Sequence, residues 1–491
     1  MQQRILSVSG VLRMTRAIVI DQDGLWRRYE CDAVASAKGF DVQHFTDDMK
    51  LRLYYETELQ VDPQARRILV VDHAAFRVPY DIAKAIQIVT VSMESIFPML
   101  DADTLRSLPS LDLDHLACIA DMLPLARQSK QETLAYCTKG MYQGRFASAY
   151  GDAELNKAVE LAHSAESHRD WTPVAKAFGK ASMIHHGFCE LKAFAGKQAL
   201  IEDDFLAWLD QKYAKLYNTV DTKRPVLLSK VNDFMRKGNQ KIALILMDGM
   251  SFENFFTIQR MLAQEPFLFD VESSFSFFPT VTSVARQSVF SGKLPMEHVK
   301  PFSLENEEKQ WRDYWKEHGY RDQDIAFFKS ETPDIPLQAK VVGIVINICD
   351  DLMHDELQGL TGLQQGIENW VRNKHLVQLL KTLLDRDFAV FMTADHGNTS
   401  AIAQGRFQKP GILAEPASRR AVIYQSYADA IELDKFPTSR YSGAYLPEGY
   451  TAYEFRECSC YGDKGKEYIT HGGMTLEEAL VPFIRIGEAN G

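Results

Sequence analysis

No run in this 491-residue chain stays apolar for the roughly 20 residues that a membrane-spanning helix needs, which argues for a soluble protein. Cysteine is scarce and odd in number. The seven (31, 118, 137, 189, 349, 458 and 460) show no framework spacing, which excludes a disulfide-stapled scaffold and suits a reducing cytoplasm. Cys458-x-Cys460 lacks a second cysteine pair to complete a zinc site, so it reads as loop cysteines. Positive charge is also in deficit. With 55 Lys and Arg against 66 Asp and Glu, the net charge of −11 excludes a broad polyanion-binding surface and leaves room only for a local basic groove. The opening MQQRILSVSGVLRM has no apolar h-region with a cleavage site, so the expected location is cytoplasmic. No internal repeat stands out.

What is present is ample core material, 46% hydrophobic residues, in a length that accommodates two to four domains. Residues 1–110 alternate strand-like runs, AIVID, FDVQHF and RILVVD, with helical stretches, which predicts a small receiver-like or other flavodoxin-like α/β domain. Asp21, Asp23 and Asp72 stand at its strand ends, where a phosphoacceptor or plain turn residues would lie, and turns are the commoner use. Residues 111–235 are rich in Ala, Leu, Lys and Glu. Their spacing, as at Leu155, Val159 and Ala162, predicts a helical linker domain. Adjacent His185 and His186 fall about 100° apart on such a helix, so packing is the plainer reading than shared ligation.

Residues 236–491 carry the chemistry. Three apolar strand-like runs there end on aspartate: IALILMD at Asp248, VVGIVINICD at Asp350 and FAVFMTAD at Asp395. Carboxylates delivered by several strand ends to one sheet edge are how α/β proteins assemble metal sites. Histidines sharpen the pattern: His354 follows Asp350 by four residues, His396 follows Asp395 directly, and His471 stands in THGGMTLEEALVPF. Three Asp and three His supply most of two divalent-metal sites. Asp351 competes with Asp350, but only Asp350 has the i, i+4 relation that puts it on one face of a turn with His354.

A nucleophile is available as well. In SFSFFPTVTSVARQSVFSGKLP, Pro279 and two threonines precede a helix-compatible stretch from Ser283 to Phe290. A hydroxyl there meets the free N–H groups and dipole of a helix N-terminus, which favour phosphate. A threonine hydroxyl becomes an alkoxide at neutral pH only if a metal lowers its pKa.

The ordered set of Asp, Thr, Asp with His, Asp-His and His resembles the alkaline phosphatase superfamily. The wording ILMDGMSFENF, FPTVTSVAR, NICDDLMH, TADHGNTS and THGGMTLEEALVPF resembles its PglZ branch, over roughly the C-terminal half. The resemblance implies an α/β, alkaline phosphatase-like sheet flanked by helices. It further implies one metal on Asp248, Thr282, Asp395 and His396, and another on Asp350, His354 and His471, zinc being favoured and manganese fitting the same ligands. Thr282 takes the nucleophile position of P-T-x-T in preference to Thr280, and Arg286, one turn later, is a candidate for the phosphoryl oxygens. Implied with these are a phosphate-ester substrate, a nucleotide or nucleic acid among the candidates, and a setting in phage defence beside a methyltransferase and ATPases. The N-terminal segment resembles that of the same proteins, which points to structural or docking work.

The segment 398–465, with Arg406, Lys409, Arg419, Arg420 and Arg440, reads either as a solvated excursion or as a cap supplying cations to a phosphorylated substrate. A sulfatase is excluded because threonine cannot become formylglycine. A cofactor-independent phosphoglycerate mutase is excluded because the stretch between Thr282 and Asp350 is too short for its inserted domain. Phosphodiesterase, which is favoured, and phosphomonoesterase both stay open, as does a metal-stabilised, non-catalytic scaffold of a defence complex.

Overall fold

A computed structural model describes the whole chain except residues 63, 72–75, 125, 239–240, 356–357, 408–417, 426–434, 442 and 490–491, and the side chain of residue 355. The expectations for Asp72 and Lys409 lie outside the described residues. The chain divides into two compact units, Met1–Met141 and Tyr142–Gly491.

In the first unit the three apolar runs become strands β1 (Arg16–Asp21), β2 (Asp41–Phe45) and β3 (Arg67–Val71), joined by β4 (Gln87–Val91). They form one parallel sheet in the order β2-β3-β1-β4. Composition explains the order. β3 and β1 are nearly continuous apolar runs and take the middle, whereas β2 and β4 carry exposed polar residues and take the edges. In a flavodoxin-like sheet β2 would lie beside β1; here it pairs with β3, from Asp41 opposite Arg67 to Phe45 opposite Val71. Asp21 accepts from the backbone N–H groups of Trp26 and Arg27, and Asp23 accepts from Met93 N and pairs with Arg106. These are turn and cap contacts.

The second unit begins with helices Gly144–His163, Trp171–Gly187 and Phe194–Lys212, which carry the helical character read from composition. His185 stacks flat on Phe194 with ring centroids 4.0 Å apart, and His186 Nδ1 lies 3.0 Å from Glu253. Both histidines are packing residues.

The main sheet of this unit contains β5 (Ile242–Met247), β6 (Phe267–Phe275), β7 (Ile325–Lys329), β8 (Val341–Ile346), β9 (Ala389–Thr393) and β16 (Leu480–Glu488). Its order is β6-β16-β9-β5-β8-β7. β9, β5, β8 and β7 run parallel, and β16 runs antiparallel to both neighbours. Every residue of β5 and of β8 is buried, as expected of strands covered on both faces. Because β9, β5 and β8 are adjacent and parallel, their C-terminal ends share one edge. Asp248 and Asp395 follow β5 and β9 closely at this edge, whereas Asp350, expected at a strand end, lies in the first turn of the helix Ile348–Asp355 that follows β8.

The 398–465 excursion is itself a β structure. β10 (Thr399–Gly405), β14 (Ser459–Tyr461) and β15 (Glu467–Thr470) form one small sheet; β11 (Ala421–Tyr424), β12 (Thr438–Tyr441) and β13 (Thr451–Phe455) form another. Arg420 is completely buried beneath them, its Nε 3.1 Å from Glu478. The guanidinium also donates to the carbonyls of Ser459 and Phe455, so this arginine holds the excursion to the body of the unit.

Leu244 lies at the centre of β5 with no exposure. Leu244→Ala is expected to destabilise the protein by about 2–5 kcal/mol through lost burial and a cavity. A urea-unfolding midpoint unchanged from wild type would contradict this placement of the core.

Candidate metal and phosphoryl-transfer site

The turn after β5 begins with Asp248, whose N–H donates to Ile346 O at 2.9 Å and so continues the β5–β8 ladder by one step. Gly249 then turns the chain with φ +71, a conformation glycine adopts without strain, and the helix Phe252–Met261 follows, capped by Ser251. After β9, Asp395 and His396 enter an equally tight turn. A Cβ on Gly397 would lie 1.9 Å from Glu477 O, so only glycine lets the two segments meet.

Asp248 and Asp395 are buried side by side. Asp395 Oδ1 accepts from Gly249 N and His396 N, while Asp248 Oδ2 accepts from Arg286 Nη1 at 2.6 Å. Asp248 Oδ1 and Asp395 Oδ2 have no hydrogen-bond partner, although both are sealed from solvent. Burial raises the proton affinity of both, to about 6 for Asp395, and the neighbouring Asp395 charge adds to the effect on Asp248; Arg286 opposes it in each case.

His396 completes this group. Its Nδ1 must donate to Gly397 O, 2.9 Å away, because a carbonyl can only accept; in the neutral ring Nε2 is then the lone-pair nitrogen. Nε2 lies 3.0 Å from Thr282 Oγ1 and 3.9 Å from Asp248 Oδ1. Asp248, Asp395 and His396 each bring one donor atom to within 4.8 Å of the others, as do Asp350, His396 and His471. His396 belongs to both triplets. His471 stacks on His396 with centroids 4.0 Å apart, is held through Nδ1 to Thr280 O at 3.0 Å, and presents Nε2 3.9 Å from Asp350 Oδ1. His354 Nε2 contacts the same Asp350 oxygen at 3.2 Å. Burial tends to raise the Asp350 pKa, but the hydrogen bond from His354 and the charges of His471 and His396 outweigh it and hold the group at about 2.

Thr282 opens the helix Thr282–Ser291 behind an N-cap, Val281, that offers no side-chain acceptor. The Val284 and Ala285 N–H groups donate to Val281 O at 3.1 Å, and the positive end of the helix dipole lies at Thr282. Thr280 is otherwise engaged. It donates to Gly473 O at 2.8 Å and accepts from Gly472 N at 3.1 Å, so it staples the His471 loop instead of facing His396.

The structure thus brings Asp248, Thr282, Asp350, His354, Asp395, His396 and His471 to one sheet edge. Arg286 is placed among them differently from the phosphoryl contact expected of it. It is buried, and binds Asp248 with one nitrogen and Glu307 Oε1 with another at 2.6 Å. Glu307, in the helix Glu307–Glu317, was not foreseen. Its NEEKQW surroundings read as a solvated helical face, and only the fold turns it inward. Asn398, also unforeseen, ties the two aspartate turns together through Gly249 O and Asn254 Oδ1.

The folded pKa of Asp395, about 6, exceeds its ordinary 3.8, so the folded state binds this proton more tightly than the unfolded chain. The resulting stabilisation is full below pH 4 and disappears as pH rises through 6, a change of about 3 kcal/mol in metal-free protein. Melting temperatures of metal-free wild type should fall relative to Asp395→Asn between pH 4 and 7; parallel profiles would contradict the carboxylate's environment.

A comparison with curated proteins gave no match. Among solved structures, an inactive form of murine ectonucleotide pyrophosphatase/phosphodiesterase 5 in complex with AMP is similar at 13% identity, covering 50% of this chain and 88% of that one, with a TM-score of 0.35. Phosphonoacetate hydrolase from Sinorhizobium meliloti 1021, in complex with phosphonoformate, is similar at 12% identity, with coverages of 50% and 89% and a TM-score of 0.34. Likenesses this distant carry no argument about activity. The sequence match is the stronger finding: residues 226–486, just over half of the chain and holding all the residues of the site, match the BREX system PglZ alkaline phosphatase-like domain, and the chain belongs to that family.

Proposed function

We propose that this chain is a metal-dependent hydrolase of phosphoric esters, with Thr282 as nucleophile and two divalent cations, zinc being favoured, and that it works in bacterial phage defence. One observation carries the reading: two sealed carboxylate oxygens without hydrogen-bond partners converge with the His396 lone pair beside a threonine hydroxyl at a helix N-terminus. An orphaned buried carboxylate oxygen is costly, and a divalent cation is the ligand that satisfies several at once. Asp248, Asp395, His396 and Thr282 would hold one cation; Asp350, His354 and His471 would hold the other. Oxygen and imidazole donors suit zinc and manganese alike.

When bound, such cations lower the pKa of a neighbouring hydroxyl and neutralise charge on phosphoryl oxygens. The chain's own residues do the rest. The positive end of the Thr282 helix dipole favours the phosphoryl group. Thr282 Oγ forms a bond to phosphorus as the bond to the leaving ester oxygen breaks, its proton passing to solvent and the leaving alkoxide taking one up. Water then cleaves the phosphothreonine, restoring the hydroxyl and releasing the phosphorylated product. Arg286 and Glu307 fix Asp248 in its ligating position.

A diester is the favoured substrate, a nucleotide or nucleic acid among the classes that fit, and a monoester is the alternative. The expected setting is the cytoplasm, beside a methyltransferase or ATPase of the defence system. Among the described residues no helix is long and apolar enough to cross a membrane. A second reading, a metal-stabilised, non-catalytic scaffold, draws on the Arg286–Asp248 pair, a buried ion pair that serves structure whether or not the site turns over substrate.

Hydrolysis of bis-p-nitrophenyl phosphate and p-nitrophenyl phosphate by zinc-loaded protein decides between them. Diester turnover is expected, with at least a hundredfold loss in Thr282→Ala and unchanged metal content. Two bound metals without turnover of either ester would move the assignment to the scaffold.

A further inference from the structure

Three arginines lie close to the candidate site, and two of them are already neutralised. Arg286 is spent on Asp248 and Glu307, and Arg420 on Glu478. Arg419 differs. Its backbone is fixed on both sides: its N–H donates to Thr470 Oγ1 at 3.0 Å, and its carbonyl accepts from Tyr461 N at 2.7 Å. The preceding residue is tied to the site itself, since Ser418 Oγ donates to His471 O at 3.0 Å. The guanidinium lies over the Tyr468 ring, 4.3 Å from its centroid, and its charge reaches His354. Among the described residues no carboxylate pairs with it.

A cation so placed is unusual in a protein carrying a net charge of −11. Placing a guanidinium over a tyrosine ring restricts its motion without using its N–H donors, for which no side-chain or backbone acceptor is found among the described residues. The residue is anchored to the His471 segment, through its own N–H on Thr470 and through Ser418 on His471 O, and His471 belongs to the triplet Asp350, His396 and His471. An arginine fork of this kind matches the paired oxygens of a phosphoryl group.

We propose that Arg419 is a substrate-binding residue of this site, its guanidinium clamping the non-bridging oxygens of the phosphate ester. Tyr468 is its positioning residue, holding the fork from behind. The proposal rests on the phosphoester reading above. It extends that reading by giving the electrostatic partner of the substrate to the β-rich excursion and not to Arg286.

The test is binding of inorganic phosphate to zinc-loaded, full-length protein by calorimetry, with zinc content measured in each sample. Wild type is compared with Arg419→Ala, Arg419→Lys and, as a control, Arg406→Ala, whose guanidinium pairs with Asp463 at the surface. Losing a charge-assisted, two-pronged contact is expected to weaken phosphate about tenfold or more in Arg419→Ala. Arg419→Lys should recover part of that loss, Arg406→Ala should bind as wild type, and zinc content should stay constant. Equal phosphate affinity in wild type and Arg419→Ala would overturn the clamp and leave the phosphoester reading standing. Loss of zinc or of fold in both Arg419 variants would overturn it too, by making the residue structural. Failure of zinc-loaded wild type to bind phosphate would overturn both readings together.

Discussion

Two carboxylates, Asp248 and Asp395, share a pocket that water does not reach, and much of the local architecture follows from keeping them there. Burial makes each group hold its proton more tightly, and the Asp395 charge adds to this at Asp248. The fold offsets the repulsion with a single buried cation. Arg286 reaches Asp248 directly and lies 4.0 Å from Asp395, and Glu307 in turn fixes the guanidinium. Arg286 stands one helical turn after Thr282. The interaction that stabilises the carboxylates therefore also sets the helix whose first residue presents the hydroxyl.

A second set of contacts fixes the loop bearing His471. Thr280 grips Gly472 and Gly473, and Glu478 accepts from Gly473 N at 2.8 Å while pairing with Arg420. Arg420 in turn carries the carbonyls of β13 and of the first residue of β14. The excursion between the Asp-His turn and His471 is thus joined to the site by buried polar bonds, each costly to leave unmade. Insertion of two small sheets between the Asp-His turn and His471 leaves their mutual geometry intact because both ends of the insertion are fastened at the same place.

Much of this was legible in the sequence, for a physical reason. A fully buried parallel strand needs a continuous apolar run, and a run that ends on Asp at a tight turn marks the carboxyl edge; Asp248 and Asp395 were readable on those grounds. Thr282 was readable because Pro279 and the threonines precede an evident helix. Arg286 was readable as present but not in its contacts, since the sequence does not say which acid a buried guanidinium meets. Glu307 was invisible, because it comes from a segment whose composition is that of any solvated helix. Strand order in the first unit was equally hidden: the apolar runs identify strands, whereas the placing of β2 beside β3 depends on which strand tolerates an edge.

His396 belongs to two donor triplets, and its tautomer decides how far it can serve both. Because Nδ1 is committed to Gly397 O, the ring has one lone pair, on Nε2, and one nitrogen lone pair makes one bond. Under the two-cation reading the pair goes to the cation of Asp248 and Asp395, whose orphaned oxygens have no other partner, and Thr282 Oγ1 lies 3.0 Å from the same nitrogen. The second cation must then complete its set without His396. His354, 3.2 Å from Asp350 Oδ1 and one helical turn along, is the donor positioned to do so. The i, i+4 spacing of Asp350 and His354 thus acquires a physical role: it supplies the ligand that the tautomer of His396 denies to the second site.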